Sequence, residues 1–220
     1  MASVAVLRES TSTNSMDDPD VPLSALELAS SEIEQIRVKR NNACPTTSPR
    51  ETYRHFPPAC LAMLKDLDGN DRCVDCGVRN PEWAAVSYGA LLCLQCSGHH
   101  RSLGVNVSCV RSINMDEWSP EEVLCMLEGG NSQLEGFFNR HALSVKSCRS
   151  PSSPKQPSNK TASATNQINE ETVTRVRYKT KAARFYREQM EAHVAKILAT
   201  GPYRGREISR RGNYGGKQPP

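Results

Sequence analysis

Long hydrophobic runs are missing from this 220-residue chain. The apolar fraction is 37% and the aromatic fraction 5%, both low for a chain folded from end to end. No stretch approaches the ~18 apolar residues that cross a bilayer. The opening Met-Ala-Ser-Val-Ala-Val-Leu holds too short an apolar run before Arg8 and Glu9 to be a secretory core. Ala2 stands where myristoylation needs glycine, and no prenylation box closes the C-terminus. A reducing, cytosolic setting is therefore expected, where paired cysteines hold metal rather than disulfides. There is no Gly-x-Ser-x-Gly elbow, no glycine-rich phosphate loop and no His-Glu-x-x-His box, which removes three common catalytic arrangements.

Cysteine is plentiful by contrast, with nine. Four of them form Cys73-Val-Asp-Cys76 and Cys93-Leu-Gln-Cys96, separated by sixteen residues. Two Cys-x-x-Cys knuckles at that separation are a strong zinc signal. Each knuckle aims two sulfurs at one point, and four thiolates then surround the ion at about 2.3 Å. Four protein ligands leave no open position, so the zinc reads as structural. His99 and His100 can in principle replace a thiolate, but the four cysteines already suffice. Cys60, Cys109 and Cys125 lie on predicted apolar faces and read as core residues. Cys44 and Cys148 carry no motif.

The charge is uneven. Residues 57–138 hold 5 Lys+Arg against 11 Asp+Glu, and residues 139–220 hold 17 against 5. Composition and periodicity divide the chain into five parts. Residues 1–55 read as a disordered N-terminal region with a possible helix at 22–40. Leu26, Ala29, Ile33 and Ile36 form one stripe of that helix, and a loosely packed helix is the plain expectation. Residues 56–142 read as the folded core. Within it, Cys60, Leu61, Leu64 and Leu67 predict a short helix, and Trp83–Tyr88 and Ala90–Leu94 predict two strands reversing at Gly89. His99-His100-Arg101 opens a short helix or turn, and Val105–Arg111 alternates as a third strand. Ser119-Pro-Glu-Glu122 is a capping box starting a helix, and Asn131 caps the next. Residues 143–170, rich in Ser, Pro and Lys, read as an inserted loop or linker. A closing helix is expected over 171–201, and a basic disordered tail over 202–220.

Arg101 stands five residues beyond Cys96. Taken alone, it reads as a surface or salt-bridging arginine, and Arg111 as structural. Trp83 is either a core residue or an exposed contact. The context adds more. Pro81-x-Trp83 follows the first knuckle, and Cys96-Ser-Gly-x-His-Arg101-x-Leu-Gly104 follows the second. Val105-Asn-Val-Ser108-x-Val-Arg-Ser112, Asp116-x-Trp118 and Gly129-Gly-Asn131 come next, then Tyr178-x-Thr-Lys-Ala-Ala-x-x-Tyr186-Arg187. Over residues 58–141 and 176–200 this pattern resembles the ArfGAP family.

The resemblance implies a protein that stimulates GTP hydrolysis on a GTP-bound Arf-family small GTPase. Arg101 would be its arginine finger and Trp83 a candidate contact with the GTPase. Cys73, Cys76, Cys93 and Cys96 would hold the zinc. With the predicted elements it implies an α+β fold: a short three-stranded antiparallel sheet flanked by about five helices, plus disordered tails. The segment 143–170 departs from the pattern as an insertion. The resemblance further implies action in vesicle traffic, in the cytoplasm at Golgi or other vesicle membranes. Basic residues at Arg204, Arg206, Arg210, Arg211 and Lys217 can attract an anionic membrane surface. Two other functions fit parts of the pattern. A GATA-like DNA-binding finger shares the knuckles, but residues 71–100 hold only Arg72 and Arg79 as arginine or lysine, so no nucleic acid is expected. The other is an ArfGAP-like scaffold without catalytic action.

Overall fold

The central strand β1, Trp83–Ala85, organises the computed structural model, which describes residues 23–42, 52–144 and 170–211. It lies between β2 (Ala90–Leu92) and β3 (Val110–Ser112) in a three-stranded antiparallel sheet. Trp83 stands opposite Leu92 on one side and Ser112 on the other. The reversal between β1 and β2 is a single 3-10 turn, Val86–Tyr88, closed by Gly89 at φ 58°. A Cβ on Gly89 would lie 2.4 Å from the Cys125 carbonyl oxygen. Both the left-handed backbone and the close approach therefore require glycine there.

Eight α-helices surround the sheet among the described residues. They are α1 (Ala25–Asn42), α2 (Pro58–Asp66), α3 (Leu94–Ser102), α4 (Pro120–Glu128), α5 (Asn131–Arg140), α6 (Glu170–Tyr178), α7 (Lys181–Thr200) and α8 (Arg206–Arg211). The class is α+β, as predicted, with more helices than the five expected. Leu64, Leu92, Trp118, Leu124, Leu127, Leu134 and Phe138 are buried in one shared core. Phe56 meets the Trp118 ring edge-on at 4.8 Å, and the indole N–H donates to the Ser112 carbonyl. The capping box at Ser119 and Glu122 is present in both directions.

The predicted third strand is shorter than its alternation suggested. Val105 is 77% exposed, and the amides of Val107 and Ser108 both donate to the Gly104 carbonyl. A turn satisfies those backbone groups locally, so only residues 110–112 need sheet partners. Asn131 does not cap α5; Gly130 holds that position. The Asn131 side chain instead accepts from the Leu91 amide at 2.7 Å and donates to the Leu91 carbonyl, joining α5 to β2.

Helix α1 is docked rather than loose. Ala29 and Ile33 are buried, and Glu32 takes a structural role. Pro57, at the N-cap of α2, offers no side-chain cap. The Glu32 carboxylate replaces it, accepting from the Ala59 and Cys60 amides at 3.1 Å. A carboxylate there meets both the unpaired N–H groups and the positive end of the helix dipole.

The expected closing helix is two helices, α6 and α7. Thr180 breaks the run and caps α7, its hydroxyl accepting from the Ala183 amide. The tail also departs from expectation over 202–211, which composition marked as disordered. Tyr203 is buried and α8 packs on α4 and α5 through Arg206, Ser209 and Arg210. Those basic side chains find acceptors in Glu128 and Gln133, which the local composition could not foretell. Residues 1–22, 43–51, 145–169 and 212–220 lie outside the described residues, and with them Cys44, Cys148, Lys217 and most of the insertion.

Candidate functional site

The first knuckle is a tight turn built by backbone hydrogen bonds. The Cys73 amide donates to the Val78 carbonyl at 2.7 Å, and the Gly77 amide to the Cys73 carbonyl at 2.9 Å. Gly77 has φ 76°, a conformation that suits glycine. The second knuckle is the start of α3. Cys93 is its N-cap, and its sulfur accepts from the Cys96 amide. The helix therefore begins directly on a sulfur pair, which the positive helix end favours as thiolates. This corrects the expectation that the helix opens only at His99.

All four sulfurs lie within 4.8 Å of one another, and Cys76 and Cys93 approach to 3.5 Å. Bonds of about 2.3 Å in a tetrahedron place sulfurs about 3.8 Å apart, so the four thiols are close enough to bind one metal ion. The charge pattern agrees. A hydrogen bond from Cys96 is the main influence holding the Cys73 thiol down at about 5. The same bond pushes Cys96 up, and burial foremost pushes Cys76 up to about 12. Only a cation lets four sulfurs in this space ionise together.

His100 takes no part in this sulfur cluster. It is fully buried, with Nδ1 at 2.7 Å from Ser108 Oγ and Nε2 at 2.9 Å from Asp75 Oδ2. Asp75 lies inside the first knuckle, between two of the sulfurs in sequence. Its Oδ1 accepts from Arg177 Nη1 and from the Tyr178 hydroxyl, each at 2.8 Å. Burial alone would raise its pKa, but His100, Arg177 and Tyr178 outweigh that and hold the carboxyl below the usual carboxylate range. The network thus binds knuckle, α3 and α6 into one unit. Arg177 and Tyr178 come from beyond the insertion, and sequence reasoning gave Arg177 no role. Nothing in the local sequence marks Arg177 as the partner of Asp75.

Arg101 lies in the last turn of α3, next to His100, and is exposed. Its guanidinium carbon stands 4.6 Å from the centre of the Trp83 ring. No carboxylate among the described residues pairs with it. Trp83 is half-buried in the central strand, so its ring is a platform beneath an exposed charge. Arg111, by contrast, is paired with Glu122 at 2.8 Å. The structure brings together all six candidate residues: four cysteines around one point, and Arg101 over Trp83 at the far end of the helix that Cys93 and Cys96 begin. The arrangement offers an exposed guanidinium, stacked on Trp83 and without a carboxylate partner among the described residues, on a braced helix.

The model of the ArfGap family, described as "Putative GTPase activating protein for Arf", matches residues 59–192. The chain belongs to the ArfGap family. It is 47% identical over 85 residues to ADP-ribosylation factor GTPase-activating protein GCS1 of Saccharomyces cerevisiae, 39% of this chain and 24% of that protein. It is 36% identical over 143 residues to ADP-ribosylation factor GTPase-activating protein 3 of Mus musculus, 64% of this chain and 21% of that one. This ArfGap chain therefore spans about a quarter or less of the length of those relatives. The family match runs across the insertion, so Arg177 and the first part of α7, residues 181–192, fall inside it.

Proposed function

We propose that this ArfGap protein stimulates GTP hydrolysis on a GTP-bound Arf-type GTPase, with Arg101 as the arginine supplied in trans. The observation that carries this reading is Arg101 itself: exposed, without a carboxylate partner among the described residues, and stacked on Trp83. Hydrolysis spreads negative charge over the transferring phosphoryl group. An arginine inserted from a partner protein stabilises that charge and is worth about 10³–10⁵ in rate. The planar guanidinium fork matches phosphate oxygens in a way that lysine does not. A finger of this kind works best when its base is already positioned. Here the sulfur cluster fixes the start of α3, and the Asp75–His100 contact fixes its last turn. Trp83 would hold the side chain ready and then face the GTPase.

The same proposal assigns zinc to the four thiolates, because a closed S4 tetrahedron suits that ion. When bound, it supplies a rigid cross-link between the knuckles and no open coordination position. The setting would be the cytoplasmic side of Golgi or other vesicle membranes. Attraction of the tail to anionic lipid would fall to exposed groups such as Arg204 and Arg211, because Arg206 and Arg210 are turned onto Gln133 and Glu128.

The test is single-turnover hydrolysis on GTP-loaded Arf-type GTPases, with metal content measured on the same sample. Wild type should accelerate hydrolysis on at least one of them and contain one zinc per chain. Arg101→Lys should keep the zinc and the melting temperature and lose at least a hundredfold in rate, about 2.7 kcal/mol. Near-normal activity of that variant would overturn the finger. A zinc-loaded wild type without activity on any of them would make the protein a scaffold.

A further inference from the structure

Helix α8 is tied to the rest of the fold around Glu128 and Gln133. Glu128 ends α4, and its side chain is fully buried. The Tyr203 hydroxyl donates to its Oε1 at 2.9 Å. His193 Nε2 and the Ser209 hydroxyl each lie 2.9 Å from its Oε2. Arg210 donates to the Glu128 carbonyl at 2.6 Å, and Arg206 donates to Gln133 at 2.9 Å. None of these groups touches the cysteine cluster or Arg101. Six residues are far fewer than the ~12–15 that sustain a helix alone. Helix α8 therefore stands on these contacts and opens more easily than the core.

The sequence across this element is Arg204-Gly-Arg206-Glu-Ile-Ser209. Arginines five and three residues before a serine form a recognition pattern for an Arg-directed protein kinase, whose acidic substrate groove pairs with both guanidinium groups. Arg204 and Glu207 are exposed, and Ile208 is 51% exposed. Ser209 itself is half-buried with its hydroxyl turned onto Glu128, so a kinase reaches it when α8 opens.

We propose that Ser209 is a phosphorylation site for an ATP-dependent, Arg-directed serine kinase, and that its modification releases α8 from Glu128. In the step, Ser209 Oγ attacks the γ-phosphorus of magnesium-bound ATP. The new O–P bond forms as the bond to the β-phosphate oxygen breaks. ADP leaves, and the hydroxyl proton passes to the catalytic carboxylate of the kinase. The phosphoserine carries a charge of about −1.5 to −2. It removes the hydroxyl proton, for which Glu128 Oε2 and the Arg206 carbonyl are both acceptors at 2.9 Å, and places like charge beside a fully buried carboxylate. A phosphate also competes with Gln133 and the Glu128 carbonyl for the Arg206 and Arg210 guanidinium groups. Both responses undo the attachment.

The full chain is incubated with magnesium-ATP and a purified Arg-directed serine kinase. Phosphate is mapped by mass spectrometry, and amide hydrogen exchange over residues 203–211 is compared before and after. Phosphate is expected at Ser209, with transfer at least tenfold slower in Arg204→Ala. Exchange over 203–211 should rise at least tenfold on phosphorylation, and clearly less in Ser209→Ala, which reports loss of the hydroxyl alone. Absence of phosphate at Ser209 would overturn the site. Phosphate there with unchanged exchange would overturn the release. Neither readout depends on a GTPase, so the result stands apart from the role proposed for Arg101.

Discussion

Arg177 Nη1 lies 2.8 Å from Asp75 Oδ1, across 102 residues of sequence, with both side chains buried. The pair joins the first cysteine knuckle to a helix beyond the insertion. Removing one member of a buried pair strands the other charge and costs about 3–5 kcal/mol. Arg177→Met should therefore lower stability by about that amount, although Met fills similar space. Phe138 and Tyr178 flank the guanidinium at 4.5 and 5.5 Å, so some of the loss is packing. Arg177→Lys should recover part of it. Denaturant unfolding of the metal-loaded protein measures both, and equal loss in the two variants would show that packing, not charge, is the main term.

The Trp83 ring under Arg101 leads to a second prediction. A cation over an aromatic face is worth about 0.5 kcal/mol when exposed and about 2 when desolvated. Under the proposed function, Trp83→Ala should slow GTP hydrolysis by a factor of about 2 to 30 through loss of that alignment. Trp83→Phe should fall between. A loss in Trp83→Ala far beyond that range, with folding intact, would mean that Trp83 contacts the GTPase directly. Titrating the GTPase separates the two: misalignment lowers the maximal rate, and a lost contact raises the concentration needed.

Thiol chemistry distinguishes the cysteine cluster from the other cysteines. Burial above all pushes the Cys125 thiol up to about 12, and pushes Cys60 and Cys109 upward as well. Only thiolates react with alkylating agents. In the metal-loaded protein at pH 8, Cys60, Cys109 and Cys125 should remain unmodified by iodoacetamide over an hour. After chelation Cys73, Cys76, Cys93 and Cys96 should react first, as the metal-dependent part opens. Mass mapping of the modified cysteines reads the order. Early modification of the half-buried Cys125 would contradict the upward push on its thiol.

The parts of this molecule that were legible in sequence are those set by short-range pattern. The Cys-x-x-Cys knuckles, the Ser119–Glu122 capping box and the Gly89 reversal are each specified within a few residues, and each is present. Residues 105–109 misled because alternation does not distinguish a strand from turns in which the polar and apolar residues happen to alternate. Contacts between distant buried charges left little trace. Arg177 was not distinguishable from its basic neighbours in sequence, and Glu128 gave no sign that Tyr203, His193 and Ser209 would converge on it. Charge composition marked 202–211 as a tail, but the structure supplies acceptors for that charge from α4 and α5.

Glu32 gives the final prediction, because it turns an apparently separable N-terminal helix into part of the fold. Loss of an N-cap costs about 0.5–2 kcal/mol. The carboxylate serves two amides of α2, so Glu32→Ala should lower stability by about 1–2 kcal/mol. Deleting residues 1–43 removes the same cap and also takes away Ile33 and Ala29, which are 1% and 0% exposed, so the core face they cover is opened to water. Burial of one such large apolar side chain contributes about 1.5–3 kcal/mol. The deletion should therefore cost about 3–5 kcal/mol, two to three times the point substitution. Glu32→Gln keeps a carbonyl acceptor and loses the charge facing the helix dipole, so it should fall between wild type and alanine. Thermal unfolding of the four proteins at one metal loading checks the order. A deletion variant as stable as wild type would mean that α2 caps itself with water and that α1 adds nothing to the core.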